Sequence, residues 1–256
     1  MAEVQQIQSR DNPLLRELRK LAQDRQAYRK LGRFWIEGEH LCSAALLRGV
    51  RPALAVYSNS AWAQLPVQFK DCAARAVVLP DALFASISAL ESAGNMGFLM
   101  DLPAASDLVP GQASVVLDRL QDAGNVGSIL RSAAAFGFTQ VLALKGTAAL
   151  WSPKVLRAGM GAHFGLHLVE GLEPQALDTL ALPVLVTSSH QGALLQSLAL
   201  PFPCAWVLGH EGQGVGPEVM ARASVFARIG QPGGEESLNV AAAAAICLHA
   251  STLGRR

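Results

Sequence analysis

An α/β fold, with a mostly parallel sheet in the second half of the chain and a smaller α/β unit ahead of it, is what this sequence predicts. Beyond residue 112, short apolar runs alternate with helical segments, the pattern of a parallel sheet covered on both faces. Three polar or glycine-rich junctions punctuate that half: Asn125-Val126-Gly127, Gly209-His210-Glu211-Gly212 and Ser237-Leu238-Asn239-Val240. Each stands where an apolar strand ends and a helix can begin. Strand-to-helix junctions of this kind converge on one crevice at the carboxyl edge of a parallel sheet.

Taken in order, Asn12-Pro13 reads as an N-cap followed by proline at the first helical position. Leu14, Leu15, Leu18, Leu21 and Ala22 keep helical spacing, with Arg16, Arg19, Lys20 and Arg25 among the polar positions. Phe34-Trp35-Ile36 reads as a strand and residues 39–47 as a helix. Further strands are expected at 54–57, 76–79 and 98–100. Residues 102–112, with Pro103, Pro110 and Gly111, read as a linker between a first domain, 1–105, and a second, 113–256. In the second domain the sequence predicts strands at 114–117, 140–144, 166–169, 184–187, 205–208 and 226–229. Helices are expected near Ile129, Val155, Ala176, Glu218 and Ala241.

Composition narrows the function classes. The 256 residues are 51% hydrophobic, enough for a substantial core. The longest apolar run, 240–248, falls far short of the roughly 20 residues of a membrane helix. The start, Met1-Ala2-Glu3-Val4-Gln5-Gln6, has neither the basic start nor the apolar core of a signal peptide. Cys42, Cys72, Cys204 and Cys247 stand far apart without a C-x-x-C pair, which suits reduced thiols in a cytoplasmic protein rather than a disulfide frame or a zinc site. Charge is uneven. Residues 1–52 hold ten Lys/Arg against six Asp/Glu, while the remainder holds eleven against fourteen, within an overall +1. A basic head points to an anionic partner, and a solvated helix face explains it equally well.

The junctions carry the chemistry. Gly127 and Arg131 share a helical face, with Gly124 one turn back, so Arg131 is expected to reach over a strip without side chains toward the crevice. A cation there suits a phosphate or ribose contact; the competing reading is a surface arginine paired with Asp118 or Asp122. The second junction puts four glycines into eight residues and so exposes backbone to a ligand. It is neither a dinucleotide-binding G-x-G-x-x-G nor a P-loop, which argues against a nicotinamide-dependent oxidoreductase. Glu211 has few local partners within that loop, and Arg131 is an attractive one. In the third junction Ser237 is placed to cap the helix, while Asn239 in its first turn can point back at a ligand. The alanines 241–245 allow another backbone to pack closely.

N-x-G-x-x-x-R, then L-G-x-E-G-x-G, then S-L-N-V-A closely resembles the three signature motifs of the SpoU (TrmH) family of RNA ribose 2′-O-methyltransferases. The resemblance spans residues 115 to about 249. Ser9-Arg10-Asp11-Asn12-Pro13 and Phe34-Trp35-Ile36-Glu37-Gly38 resemble, less specifically, the family's RNA-binding extension of the ribosomal-protein-like α/β type. The resemblance implies S-adenosylmethionine as methyl donor, a C-terminal trefoil knot and a homodimer, and displacement at a sulfonium needs no metal. It implies that Thr187, Leu208, Gly209, Gly212, Ile229 and Leu238 surround the donor, largely through backbone. Arg131, assisted by Asn125, Glu211, Ser237 and Asn239, would face the ribose. Two departures stand out: Gly230-Gln231 follows Ile229 where the family has proline, and Gly159 stands where a serine is common.

The expected reaction is methyl transfer to a ribose 2′-hydroxyl, with Arg131 stabilising developing oxyanion charge or gripping a phosphate, because a guanidinium stays charged. Ribosomal RNA is the expected substrate from the resemblance of the N-terminal extension, with transfer RNA as the alternative. A non-catalytic RNA-binding protein on the same fold is the reading from another class, but it would be expected to have lost Arg131, Glu211 or Asn239.

Overall fold

A computed structural model describes residues 2–89, 94–188, 191–233 and 237–253. The chain divides into two compact units, one of Met1–Ala104 with Trp151–Phe164, the other of Ala105–Leu150 with Gly165–Arg256. The segment 151–164, which the sequence assigns to the second domain, therefore packs with the first.

The first unit runs β1 (Glu3–Gln6), α1 (Pro13–Gln23), α2 (Ala27–Leu31), β2 (Arg33–Glu37), α3 (Glu39–Leu47), β3 (Leu54–Ser58), α4 (Asn59–Gln64), α5 (Val67–Lys70), β4 (Arg75–Leu79), α6 (Asp81–Ala85) and β5 (Met96–Asp101). Its sheet has the order β1-β4-β3-β5-β2, with β5 antiparallel to both β3 and β2. Helix α1 starts as its sequence dictates: Asn12 Oδ1 accepts the Leu14 amide at 2.9 Å and Pro13 needs no donor there. Leu15, Leu18, Leu21 and Ala22 form its buried face. Strand β2 alternates, so that Phe34 meets Trp151 at a ring-centroid distance of 4.7 Å while Trp35 turns to Phe84 at 6.4 Å. Strand β1 is invisible in the sequence because Glu3–Gln6 is fully exposed and held by backbone pairing to β4 alone.

The second unit begins with β6 (Ser114–Asp118), α7 (Ala123–Ala135) and β7 (Gln140–Leu144). Helix α8 (Pro153–Gly159) belongs to the first unit. Then come β8 (His167–Leu172), β9 (Val184–Thr187), β10 (Ala193–Leu194), β11 (Ala205–Gly209), α9 (Pro217–Met220), β12 (Val225–Arg228) and α10 (Val240–Ala250). The helix expected near Ala176 is a 3-10 segment, Pro174–Thr179. The sheet order is β10-β12-β9-β11-β6-β7-β8 and every pairing is parallel. Val116, Leu142, Val186 and Val207 point to one buried face. On the other, the Trp206 ring nitrogen donates to Ser251 Oγ at 2.8 Å and fastens the end of α10 to β11. Helices α7 and α10 pack together, so the close neighbour of the alanine run is α7.

The stretch read as a linker is tied down at its end. Buried Gln140 accepts the Val109 amide at 2.7 Å and donates back to the Val109 carbonyl at 3.2 Å and to Ser114 Oγ at 2.8 Å. Among the described residues no helix is long and apolar enough to cross a membrane.

Candidate active site

Parallel strand direction places the candidate residues on one edge. Strands β12, β9, β11 and β6 are consecutive neighbours, and Ile229, Thr187, Leu208-Gly209 and Asp118 lie at or just past their carboxyl ends. Leu208 is fully buried and offers only backbone there, whereas Leu238 is 39% exposed just ahead of α10. Thr187 donates its hydroxyl to the Val207 carbonyl across β9 and β11 at 3.3 Å.

Residues from all three junctions meet in one directed chain of hydrogen bonds. Asn239 Oδ1 accepts the Ala241 and Ala242 amides at 2.9 and 3.2 Å, so its Nδ2 is left to donate to Asn125 Oδ1 at 2.9 Å. Asn125 Nδ2 donates in turn to Glu211 Oε1 at 3.2 Å. A group that only donates at one end and a carboxylate at the other fix which way both amides point. Glu211 also accepts the Gln121 and Asp122 amides, at 3.3 and 3.2 Å, just ahead of α7. Partial burial pushes the Glu211 carboxyl up, but hydrogen bonds from its own amide, Asn125, Asp122 and Gln121 together hold it below its ordinary value of 4.5. The helix dipole of α7 acts in the same direction.

Several expectations need correction. The first junction, Asn125-Val126-Gly127, lies inside the first turns of α7, which Asp122 caps by accepting the Asn125 amide at 2.8 Å. The cap of α10 is Asn239 rather than Ser237; the latter lies exposed two residues earlier because the helix begins at Val240. Glu211 is partnered by amides and not by Arg131. Nor does Arg131 pair with Asp118 or Asp122: it is exposed on α7, seven residues beyond Gly124, with no hydrogen bond or ion pair among the described residues. Gly127, on the same helical face, is buried.

The second junction is a tight double-back. His210 and Gly214 exchange backbone hydrogen bonds at 3.0 and 2.8 Å, and His210 Nδ1 accepts the Gly212 and Gln213 amides at 3.0 and 3.3 Å. A Cβ at Gly209 would lie 2.2 Å from the Val215 nitrogen, so only glycine fits. The loop closes on Asp118, buried at 3% exposure, whose Oδ2 accepts the Gly216 amide at 2.6 Å. Beside it Arg119, at φ +60, bonds Asp118 Oδ1 at 3.0 Å, Gln213 Oε1 at 3.2 Å and the Gly214 carbonyl at 3.4 Å. The Asp118 hydrogen bond raises the Arg119 guanidinium above its ordinary value. Residue spacing does not reveal the place of Arg119, since nothing in it marks a left-handed backbone. An aspartate closing an apolar strand was the available signal.

A cavity of about 680 Å³ lies near Ile229 and Gly230, lined also by Leu195, Leu198 and, on α10, Ile246 and Ala250. It does not include the Glu211–Asn125–Asn239 chain. The Gly159 departure has a local cause: a Cβ there would stand 2.5 Å from Cε1 of buried His163. Among the described residues no group of three or more His, Cys, Asp or Glu is placed to hold a metal ion.

A parallel sheet with linked polar side chains at its carboxyl edge is the arrangement in which α/β proteins bind ligands, and comparison with known proteins specifies the class. Residues 112–249 match the SpoU rRNA methylase family. Over 250 residues the chain is 28% identical to the 23S rRNA (guanosine(2553)-2′-O)-methyltransferase RlmP of Bacillus subtilis, covering 96% of this chain and 98% of that one. A solved TrmH-family structure from Porphyromonas gingivalis superposes with a TM-score of 0.81 at 31% identity, covering 93% of this chain and 96% of the other. A solved RNA 2′-O ribose methyltransferase gives 0.81 at 28% identity, with 98% and 99% covered. The chain belongs to the SpoU rRNA methylase family, and is an RNA ribose methyltransferase.

Proposed function

We propose that the chain transfers a methyl group from S-adenosylmethionine to the ribose 2′-hydroxyl of one nucleotide in ribosomal RNA. The observation that carries this reading is the directed chain from α10 through Asn239 and Asn125 to Glu211, with Arg131 free of partners among the described residues on the same helix as Asn125. The edge suits the donor chemically. Backbone groups at the ends of β9, β11 and β12, glycine at 209 and 212, and the exposed Leu238 offer amides, carbonyls and an apolar surface to an adenosine. Thr187, Leu208, Gly209, Gly212, Ile229 and Leu238 are the residues that would hold it. When bound there, S-adenosylmethionine supplies an electrophilic methyl on a sulfonium.

The chain's own residues supply position and charge. Asn125, fixed at both ends, retains one N–H and one lone pair for the ribose or its phosphate. Arg131 stabilises the oxygen as its proton leaves or holds an adjacent phosphate, since a guanidinium stays charged and does not serve as a base. Ser237, exposed ahead of α10, is free to assist. Holding nucleophile and methyl in line is a proximity effect.

The first unit serves RNA recognition in this reading, as a ribosomal-protein-like extension in front of the catalytic part. The supporting observation is its charge: Arg16, Lys20, Arg25, Arg29 and Lys30 are all exposed. A trefoil-knotted path in the second unit is supported by β11 lying between the earlier strands β6 and β9. Self-association as a homodimer is supported by Ile246 and Leu253, 41% and 67% exposed at the 680 Å³ cavity. The protein acts in the cytoplasm in this account.

Calorimetric titration tests the donor: S-adenosylmethionine should bind the purified protein without added divalent metal. Binding of a nicotinamide dinucleotide in its place would overturn the assignment. Mapping 2′-O-methyl groups in total RNA from cells with and without the gene decides the substrate, and a lost site in transfer RNA would contradict the ribosomal reading.

A further inference from the structure

Two carboxylates fasten the 209–216 loop, and only one of them belongs to the signature motifs. Glu211 ties the middle of the loop to the start of α7. Its far end is fastened by the dipeptide that terminates β6. Asp118, with a side chain only 4% exposed, accepts the Gly216 amide and the Arg119 guanidinium at once. Arg119 spreads its planar fork over three partners in two directions, Asp118, the Gln213 side chain and the Gly214 carbonyl. Its backbone stands at φ +60, where a side chain is disfavoured. That conformation is itself pinned: the Arg119 amide donates to Thr147 Oγ1 at 3.1 Å, and the Thr147 hydroxyl donates to the Leu117 carbonyl at 2.9 Å. A glycine would adopt the same backbone without strain. An arginine held there against its preference therefore points to a role for the side chain, and every partner of its guanidinium beyond Asp118 lies in the loop.

We propose that Asp118 and Arg119 form a clamp that holds the 209–216 loop in the shape the methyl donor requires, which makes them positioning residues for donor affinity. The inference rests on the donor reading given above. Neither residue bonds Asn125, Asn239, Arg131 or Glu211, and Glu211, although inside the clamped loop, keeps its own hydrogen bonds to the start of α7. Loss of the clamp should thus weaken the donor without weakening RNA.

Three variants of the full chain test it. Asp118→Asn keeps the shape of the side chain and removes its charge; Arg119→Gly removes the fork and relieves the left-handed backbone; Arg119→Lys keeps charge without the fork. Calorimetric titration with S-adenosylmethionine should show about tenfold weaker binding for the first two, as expected when a charge-assisted hydrogen bond is lost, and an intermediate value for the lysine. RNA affinity measured without donor should stay at the parental value. Melting temperature is measured alongside: relief of the left-handed backbone offsets part of the lost hydrogen bonds, so Arg119→Gly should stay folded at the assay temperature and its loss of donor affinity is read on folded protein. Parental donor affinity in Arg119→Gly overturns the clamp. Amide hydrogen exchange gives a readout that needs no ligand: the amides of residues 212–216 should exchange at least about tenfold faster in Asp118→Asn and Arg119→Gly. Unchanged protection there overturns the clamp even if the parental protein fails to bind the donor. Failure of the parent to bind would instead sink the donor reading, with faster exchange still supporting the clamp.

Discussion

The two sheets are made from similar apolar strands, and among the described residues the second brings polar side chains distant in sequence together at one edge. In the first unit β5 runs antiparallel to both neighbours, so its carboxyl end lies on the edge opposite those of β1, β4, β3 and β2. In the second, every pairing is parallel, and β12, β9, β11 and β6 deliver their following residues to one edge. Chain direction is thus what collects Asn125, Glu211 and Asn239, which lie up to 114 residues apart in sequence yet share hydrogen bonds. The mixed sheet instead supports a basic outer face on α1 and α2. A division of labour follows: substitutions at the parallel edge should alter chemistry, and those on the first unit should alter RNA affinity or stability.

The largest effect that would sharpen this contrast is expected at Arg131. Arg131→Ala should lower methylation by about 10²–10³-fold, the scale of losing one transition-state donor, with donor affinity and melting temperature unchanged. Arg131→Lys should also be poor, because a point charge does not reproduce the fork. Near-parental methylation by Arg131→Ala would reduce Arg131 to a surface charge.

Next comes Glu211. Its folded pKa is depressed, so its contribution to the ordered edge is complete above the ordinary value of 4.5 and is lost as pH falls through the lower folded value. Donor binding should consequently be flat in Glu211 ionisation from neutral pH down to about 5. Glu211→Gln should cost about tenfold in turnover at pH 7, since an amide keeps one accepting oxygen and loses the charge that strengthens every incoming hydrogen bond. A turnover equal to the parent would detach the chain of amides from catalysis.

Smaller effects belong to the first unit. Arg16→Glu with Lys20→Glu should weaken RNA binding by about tenfold and flatten its salt dependence while sparing donor affinity. Deleting the first 105 residues is a poorer test, because Trp151–Phe164 would lose the unit it packs with. Asn12→Ala should cost about 1 kcal/mol of stability through the lost cap, measured by denaturant unfolding, with methylation unaltered.

Much of this architecture was legible because its physical causes are local. Strands β7 and β9 fall at 140–144 and 184–187 as periodicity predicts, and Asn12-Pro13 starts α1 through a cap that two residues specify. What escaped depends on tertiary pairing. Strand β1 has no buried face, and β10 is two residues long. The packing of 151–164 with the first unit turns on Phe34 meeting Trp151, a contact across more than a hundred residues. At the site, residue types were readable and partners were not. Asn239 and Ser237 are equally good caps by chemistry, and only the start of α10 at Val240 chooses between them. The position of Glu211 beside Gln121 and Asp122 follows from β11 pairing with β6, which no local pattern encodes.

Alkaline hydrolysis reads directly whether the methyl acceptor is a ribose oxygen in RNA. The purified protein should be incubated with ribosomal RNA and methyl-labelled S-adenosylmethionine, and the product digested with alkali. Strand cleavage by alkali needs a free 2′-hydroxyl, so a 2′-O-methyl nucleotide keeps its 3′ neighbour and emerges as a dinucleotide. Label should appear in alkali-stable dinucleotides and be absent from the product of the Arg131→Ala protein. Label released with mononucleotides would place the methyl on a base and contradict it.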